Sequence, residues 1–262
     1  MDRFGDVSVD LRNDHVAVVE LHRPPENYFD VDLIRSIGEA FAAVDDEPSA
    51  RAIVLASEGK HFCAGANFTA PRPSVGEQDG DSDPTRDLYR EAVRLLQART
   101  PVVAAVQGAA IGGGLGLACA ADFRVAAPEA RFAANFARLG FHHGFGLTVT
   151  LPDIVGRQRA LELLYTGRRI GGAGAAEIGL VDRLVSAAEL RAAAHDFAAE
   201  IAASAPLAVR SIRETMRGDL ADRVRAAVER EAAEQAWLRG TDDFREGVRA
   251  TAERRPANFA GK

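Results

Sequence analysis

Val7–Leu11 and Val16–Leu21 alternate apolar and polar positions about Asn13-Asp14, which predicts a β-hairpin. Between Val31 and Val44 the apolar residues Leu33, Ile34, Ile37, Phe41 and Val44 recur with helical spacing. Ala52–Ala56 is short and wholly apolar, as expected of a strand covered on both faces. Asp87–Arg99 reads as a helix with Leu88, Ala92, Leu95 and Leu96 on one face. Val102–Val106 and Phe123–Ala126 read as strands, Arg131–Phe132 as strand or turn, and Asn135–Leu139 as a short helical turn or loop. Leu147–Val155 and Gln158–Leu164 are helical, Ile170–Leu180 holds a Gly/Ala-rich helix, and Val181–Val185 is extended. From Ala187 onward the pattern becomes that of Ala/Arg/Glu-rich amphipathic helices, at Ala187–Ala203, Pro206–Met216, Leu220–Arg239 and Asp242–Glu253. The expected organisation is an α/β core over residues 1–186 and a helical region over 187–262.

The chain is organised around Pro101–Asp122. A buried strand leads into a glycine-rich turn, Gly108–Gly114, and then a helix of small residues to about Ala121. Glycines at a strand-to-helix junction let the backbone approach a ligand, and the first helical N–H groups have no intrahelical acceptor. Such a turn can hold an oxyanion, although it can also serve only to pack helix on sheet. A second small-residue turn, Phe62–Asn67, follows the Ala52–Ala56 strand. Two turns whose N–H groups converge can polarise a carbonyl. A third glycine-rich loop, Gly140–Gly146, carries His142 and His143. The segment 71–84, rich in Pro, Gly, Ser and Asp, reads as a surface loop near the site and contains Asp79, Asp81 and Asp83.

Composition removes other classes. A net charge of −6, with no cluster of Lys/Arg and aromatic residues, argues against nucleic acid as a partner. No apolar run approaches a membrane span and no secretory signal is visible, so a cytoplasmic protein is expected. Cys63 and Cys119 supply neither a disulfide framework nor a zinc motif, and no metal is expected. Dinucleotide binding is excluded because Gly114-Leu115-Gly116 continues to Cys119 without the third glycine of the fingerprint.

His61–Asn67, Ala105–Ala126, Leu139–Gly144, Ile154–Ile170 and Glu253–Phe259 together resemble the crotonase, or enoyl-CoA hydratase/isomerase, superfamily over essentially the whole chain. The resemblance implies a spiral of repeated β-β-α units with two roughly perpendicular sheets and a helical C-terminal region used for trimerisation. It implies an acyl-CoA thioester as substrate, with coenzyme A part of that substrate and no separate cofactor. The assembly would be a homotrimer or a dimer of trimers. By motif position, the N–H groups of Ala66 and Gly113 would form the oxyanion hole, as in a lyase or isomerase of fatty-acid or related acyl-CoA metabolism. Ala64, with Asn27 and Tyr28 beside Glu26, would border the coenzyme. Arg254 would meet its phosphate from an adjacent subunit.

The resemblance also exposes departures. Family hydratases carry two glutamates, and the corresponding positions here are Gly116 and Phe136. Without them nothing positions water or moves a proton at the α-carbon, so ordinary hydration is not expected. His143, and after it His142, stand where some branches place an acidic catalytic residue, and imidazole titrates in the useful range. The same pair can instead pack or cap locally. Asp122 reads as structural and His61 as exposed. The alternative to an enzyme is a non-catalytic acyl-CoA-binding protein that kept the pocket.

Overall fold

The computed structural model describes residues 2–67 and 84–262, so Asp79, Asp81 and Asp83 lie outside the described residues. The chain opens with β1 (Asp2–Phe4), β2 (Val7–Leu11), β3 (Val16–Leu21), α1 (Val31–Asp46) and β4 (Ala52–Ser57). Then come α2 (Pro84–Leu96), β5 (Val102–Val106), β6 (Ala109–Ile111), α3 (Gly113–Ala120), β7 (Phe123–Ala126) and β8 (Arg131–Ala133). A 3-10 turn (Asn135–Leu139) precedes α4 (Leu147–Val155), α5 (Arg157–Thr166), β9 (Ile170–Gly171), α6 (Gly172–Glu177) and β10 (Arg183–Leu184). The chain ends with α7 (Leu190–Ala202), α8 (Pro206–Arg217), α9 (Leu220–Leu238) and α10 (Asp242–Ala252). Among the described residues, no helix is long and apolar enough to cross a membrane.

One sheet has the order β1-β2-β3-β4-β5-β7-β10, and a second has β6-β8-β9. The hairpin pairs are antiparallel, whereas β3, β4, β5, β7 and β10 run parallel. Parallel neighbours need crossovers; α1 alone links β3 to β4, and the crossovers after β4, β5 and β7 visit the second layer. β4 is followed by Cys63, which bridges Ala110 of β6, and then by α2. β5 is followed by β6 and α3, and β7 by β8 and the helices after it. This is the β-β-α spiral expected from the resemblance.

Three differences from the sequence reading are local. The Gly108–Gly114 turn contains strand β6, three residues long and pairing in parallel with β8, too short to show a period. The Ile170–Leu180 helix is confined to α6, because Ile170 pairs with Phe132. Asp2–Phe4 adds an edge strand paired with β2.

The two faces of the large sheet are covered differently. On one, Leu33, Ile37, Phe41, Ile53, Leu55 and Leu95 belong to a large core. On the other, the Ala-rich stripe of α7 (Leu190, Ala194, Ala198, Ala202) lies against Val16, Val54, Val103 and Val125. The helices after residue 186 thus complete the fold, with α9 packing on α2 and α4 and α10 on the 3-10 turn. Asp122 anchors α8. Its carboxylate accepts from the Val102 N–H (2.8 Å) and from Arg213 and Arg217 (2.9 Å each). Both guanidinium groups and the carboxylate are largely buried, so removing either sign strands the other.

Candidate active site

The two small-residue turns meet at the Cys63–Ala110 bridge. The Cys63 N–H donates to the Ala109 carbonyl (2.8 Å) and the Ile111 N–H to the Cys63 carbonyl (3.1 Å). From this bridge the two chains run on alike. Gly65 (φ +87°) precedes Ala66, and Gly112 (φ +58°) precedes Gly113. A left-handed residue turns the following peptide out of the ladder, which only glycine does cheaply. Accordingly, no hydrogen bond engages the N–H of Ala66 or of Gly113 among the described residues. Gly114 has to be glycine for space, since a Cβ there would stand 2.0 Å from the Cys63 carbonyl oxygen.

Ala66 and Gly113 line one pocket of about 520 Å³. Its inner wall is aromatic. Phe29 and Phe145 pack with ring centroids 5.5 Å apart, and Phe136 meets Phe141 edge-on at 5.4 Å. Its rim carries the exposed Arg131, Arg169 and Arg254. Ala64 and Tyr28 also line it. The Ala64 N–H is held by the Glu26 carbonyl (2.9 Å), and the Tyr28 phenol is pushed up by partial burial and by Glu26. Arg254 (φ +54°) reaches the pocket of its own chain. Phe136 is a lining residue, as its position implied. Gly116 lies behind the wall, where a Cβ would come within 2.7 Å of the Phe145 Cβ.

Other expectations are corrected. Asn27 is fully buried and does not line the pocket. Its amide donates to the Glu58 carbonyl (2.8 Å) and the His61 carbonyl (2.6 Å), and its oxygen accepts from the Arg23 N–H (3.0 Å). It therefore shapes the turn before Phe62 and touches no ligand. His61 is half-buried in the lining rather than exposed. Its Nδ1 accepts from the Ala109 N–H (3.2 Å), and burial, with Lys60 nearby, lowers its pKa.

His142 and His143 are not brought to the pocket. Their rings stack on one another at 4.1 Å. His142 Nδ1 bonds the His143 carbonyl (2.7 Å), and His143 Nε2 bonds Thr148 Oγ1 (2.9 Å). Behind them, the buried Glu231 accepts from the N–H groups of Gly146 (2.9 Å) and Thr148 (3.0 Å) and from the Thr148 hydroxyl (2.6 Å). Glu231 thus caps α4 from α9 and draws the histidine loop away from the cavity. Burial and the neighbouring His142 lower His143 to about 4, so the ring is neutral.

The sequence reading passed over Tyr89, Phe145 and Arg239, all in the lining. Phe145 is a bulky residue between two glycines and adopts φ +64°. Its place in the Gly144–Gly146 run was the available signal. Tyr89 lay unremarked within an apolar helical stripe.

The comparisons agree with this geometry. Residues 12–262 match the family described as enoyl-CoA hydratase/isomerase. A crotonyl-CoA hydratase of Syntrophomonas wolfei is 34% identical over 254 residues, covering 96% of each chain. An enoyl-CoA hydratase of Mycobacterium tuberculosis is 33% identical over 260 residues, covering 96% of this chain and 95% of its own. Among solved structures, an enoyl-CoA hydratase/isomerase from Pseudoalteromonas atlantica superposes with a TM-score of 0.85 at 27% identity, covering 97% of this chain and all of the other. Motifs, spiral topology, paired turns and full-length similarity coincide, and the chain belongs to the enoyl-CoA hydratase/isomerase, or crotonase, family.

Proposed function

We propose that this chain binds acyl-CoA thioesters and stabilises their enolate form by donating the N–H groups of Ala66 and Gly113 to the thioester oxygen. The observation that carries this reading is the pair of main-chain donors without acceptors, each after a left-handed glycine, in one apolar pocket. A preorganised donor of this kind contributes about 3 kcal/mol to a developing oxyanion. The exposed arginines of the rim suit the phosphates of coenzyme A. The phenylalanines of the inner wall suit a bulky or aromatic acyl group.

The reaction is other than two-glutamate hydration. Glycine and phenylalanine stand at positions 116 and 136, and a glutamate at 116 would have to displace Phe145. The chain works as a homotrimer or a dimer of trimers in the cytoplasm. This assembly is supported by the outward apolar residues of α8, where Leu207 and Met216 are each 80% exposed. A non-catalytic acyl-CoA binder is the second reading. The lack of a carboxylate at both glutamate positions, Gly116 and Phe136, favours it.

The test is a panel of saturated, 2-enoyl, 3-hydroxy and malonyl-type acyl-CoAs, incubated in heavy water and in ¹⁸O water and followed by mass spectrometry. Label at the α-carbon, or loss of a substituent there, supports enolate chemistry. Thermal stabilisation by acyl-CoA with no labelling or turnover on any member supports the binding protein.

A further inference from the structure

The rim arginines Arg131, Arg169 and Arg254 make no ion pair among the described residues. The arginines near Arg254 on α10 and just after it do. Arg245 pairs with Asp242 (2.9 Å), and Arg249 and Arg255 both pair with Glu246. A guanidinium left out of such pairs at a pocket mouth suits an anion that arrives with the ligand.

Arg254 also has an uncommon backbone. The α10 helix ends in a Schellman turn, in which the Arg254 N–H donates to the Thr251 carbonyl (3.2 Å) and the Arg255 N–H to the Ala250 carbonyl (3.0 Å). The residue at the reversal, Arg254, takes φ +54°. Glycine is the usual occupant, because a Cβ in that conformation crowds a neighbouring carbonyl oxygen. An arginine there costs stability, and it persists only where its surroundings hold it.

Those surroundings are an acidic clasp on α10. Glu246, 9% exposed, receives Arg255 on both oxygens, from Nη1 to Oε1 (2.5 Å) and from Nη2 to Oε2 (3.0 Å). Such a fork fixes the plane of the guanidinium as well as its distance. The same Oε1 accepts from the Asn258 N–H (2.9 Å). One turn earlier, Asp243 accepts from the N–H groups of Ala260 (2.7 Å) and Gly261 (2.9 Å). The chain beyond Ala252 is thereby folded back along the helix. Arg255, with the Asn258 N–H and Arg249, holds the Glu246 carboxyl far below the usual carboxylate range.

The helix is fixed on its other side. A Cβ on Gly247 would stand 2.5 Å from the Leu139 carbonyl carbon, and one on Gly140 would stand 2.6 Å from the Asp243 carbonyl oxygen. Val248, Thr251 and Ala252 of α10 line the pocket, and Arg254 follows at its rim. The turn at Arg254 is therefore set from both ends, by the packed helix before it and by the clasped chain after it.

Resting on the acyl-CoA reading above, we propose that Glu246 is a positioning residue for the phosphate end of the ligand. By holding Arg255 and the returning chain, it keeps Arg254 in the left-handed turn that presents its guanidinium to a coenzyme A phosphate at the rim. Glu246 touches no ligand, and its effect passes through one side chain. It bears on the coenzyme half of the ligand and leaves the acyl half alone.

The experiment measures binding of butyryl-CoA and butyryl-pantetheine to the full chain by calorimetry. The second thioester lacks the phosphates and the nucleoside. Arg254→Gly should weaken butyryl-CoA about tenfold and raise the thermal midpoint, since glycine suits the turn. Glu246→Gln, which turns one acceptor of the fork into a donor, should weaken butyryl-CoA about fivefold and hold butyryl-pantetheine within about 1.5-fold. The double variant should bind butyryl-CoA no worse than Arg254→Gly alone. Unchanged butyryl-CoA binding in folded Glu246→Gln overturns the proposal. So does equal weakening of both thioesters, which is what a merely structural clasp would produce, and so do additive losses in the double variant. Should Glu246→Gln fail to fold, Arg255→Lys, which removes the fork and keeps the charge, is judged by the same criteria. Wild type that binds the two thioesters equally well sinks this proposal and leaves the enolate reading standing. Wild type that binds neither sinks both.

Discussion

One wall of the pocket is made of main chain and the opposite wall of side chains, and the two are secured by different means. The main-chain wall comprises the turns ending at Ala66 and Gly113, locked at the Cys63–Ala110 bridge. What it requires of the sequence is absence, because glycines are needed where a Cβ would strike backbone or force φ. The side-chain wall is the 140–146 loop. It is held by Glu231 and Gln235 of α9, far along the chain, and Tyr89 of α2 packs against it at Gly144. Its requirement is a set of matched donors and acceptors. In the reading proposed above, the first wall would fix a carbonyl.

The largest effect expected is on the main-chain wall. Gly114→Ala places a methyl group 2.0 Å from the Cys63 carbonyl oxygen, with backbone on both sides. Overpacking and loss of the bridge should cost about 3 kcal/mol or more and abolish acyl-CoA binding, read by urea unfolding and calorimetry. Unchanged stability would show that the wall is pliable.

Next comes the side-chain wall. Glu231→Ala strips the acceptor from the Gly146 and Thr148 N–H groups and from the Thr148 hydroxyl. A loss of about 2–3 kcal/mol is expected. Binding of acyl-CoA should weaken far less than in Gly114→Ala, because the proposed donors at Ala66 and Gly113 are untouched. Equal loss of binding in both variants would erase the distinction between the walls.

The smallest effect is a pH dependence. His143 titrates near its ordinary 6.5 when unfolded and near 4 when folded. Its contribution is fully present above about pH 6.5 and is lost as pH falls to about 4, because the unfolded chain then binds the extra proton. The slope is at most about 1.4 kcal/mol per pH unit, less for a ring that keeps some contact with water. Glu231, raised by burial, acts in the opposite sense above its ordinary value. His143→Gln should flatten the fall in urea midpoints across that window. An unaltered slope would place the source elsewhere.

This contrast also sets what could be read from the sequence. The strand-turn-helix order, the hairpin and the two small-residue turns were legible because they depend on neighbours in sequence and on missing side chains. His142 and His143 were misplaced because their partners, Thr148 and Glu231, are assembled only by the docking of α9 on α4. Asn27 looked like a ligand contact for a related reason. Its partners at Glu58 and His61 lie a full crossover away. Tyr89 was hidden because a phenol in an amphipathic helix looks like core until the fold sets its hydroxyl beside Gly144 in the pocket lining.

The alanine stripe of α7 gives the back of the large sheet its own mutational signature. Ala194, Ala198 and Ala202 have almost nothing to lose by truncation, so deletion scanning would pass over this face in silence. Enlargement is another matter, since each added methylene must lift a helix off a valine-covered sheet. Drift at these positions is therefore confined to one direction of side-chain size. On the opposite face, where Leu and Phe dominate, most of the tolerance to be lost lies in making residues smaller.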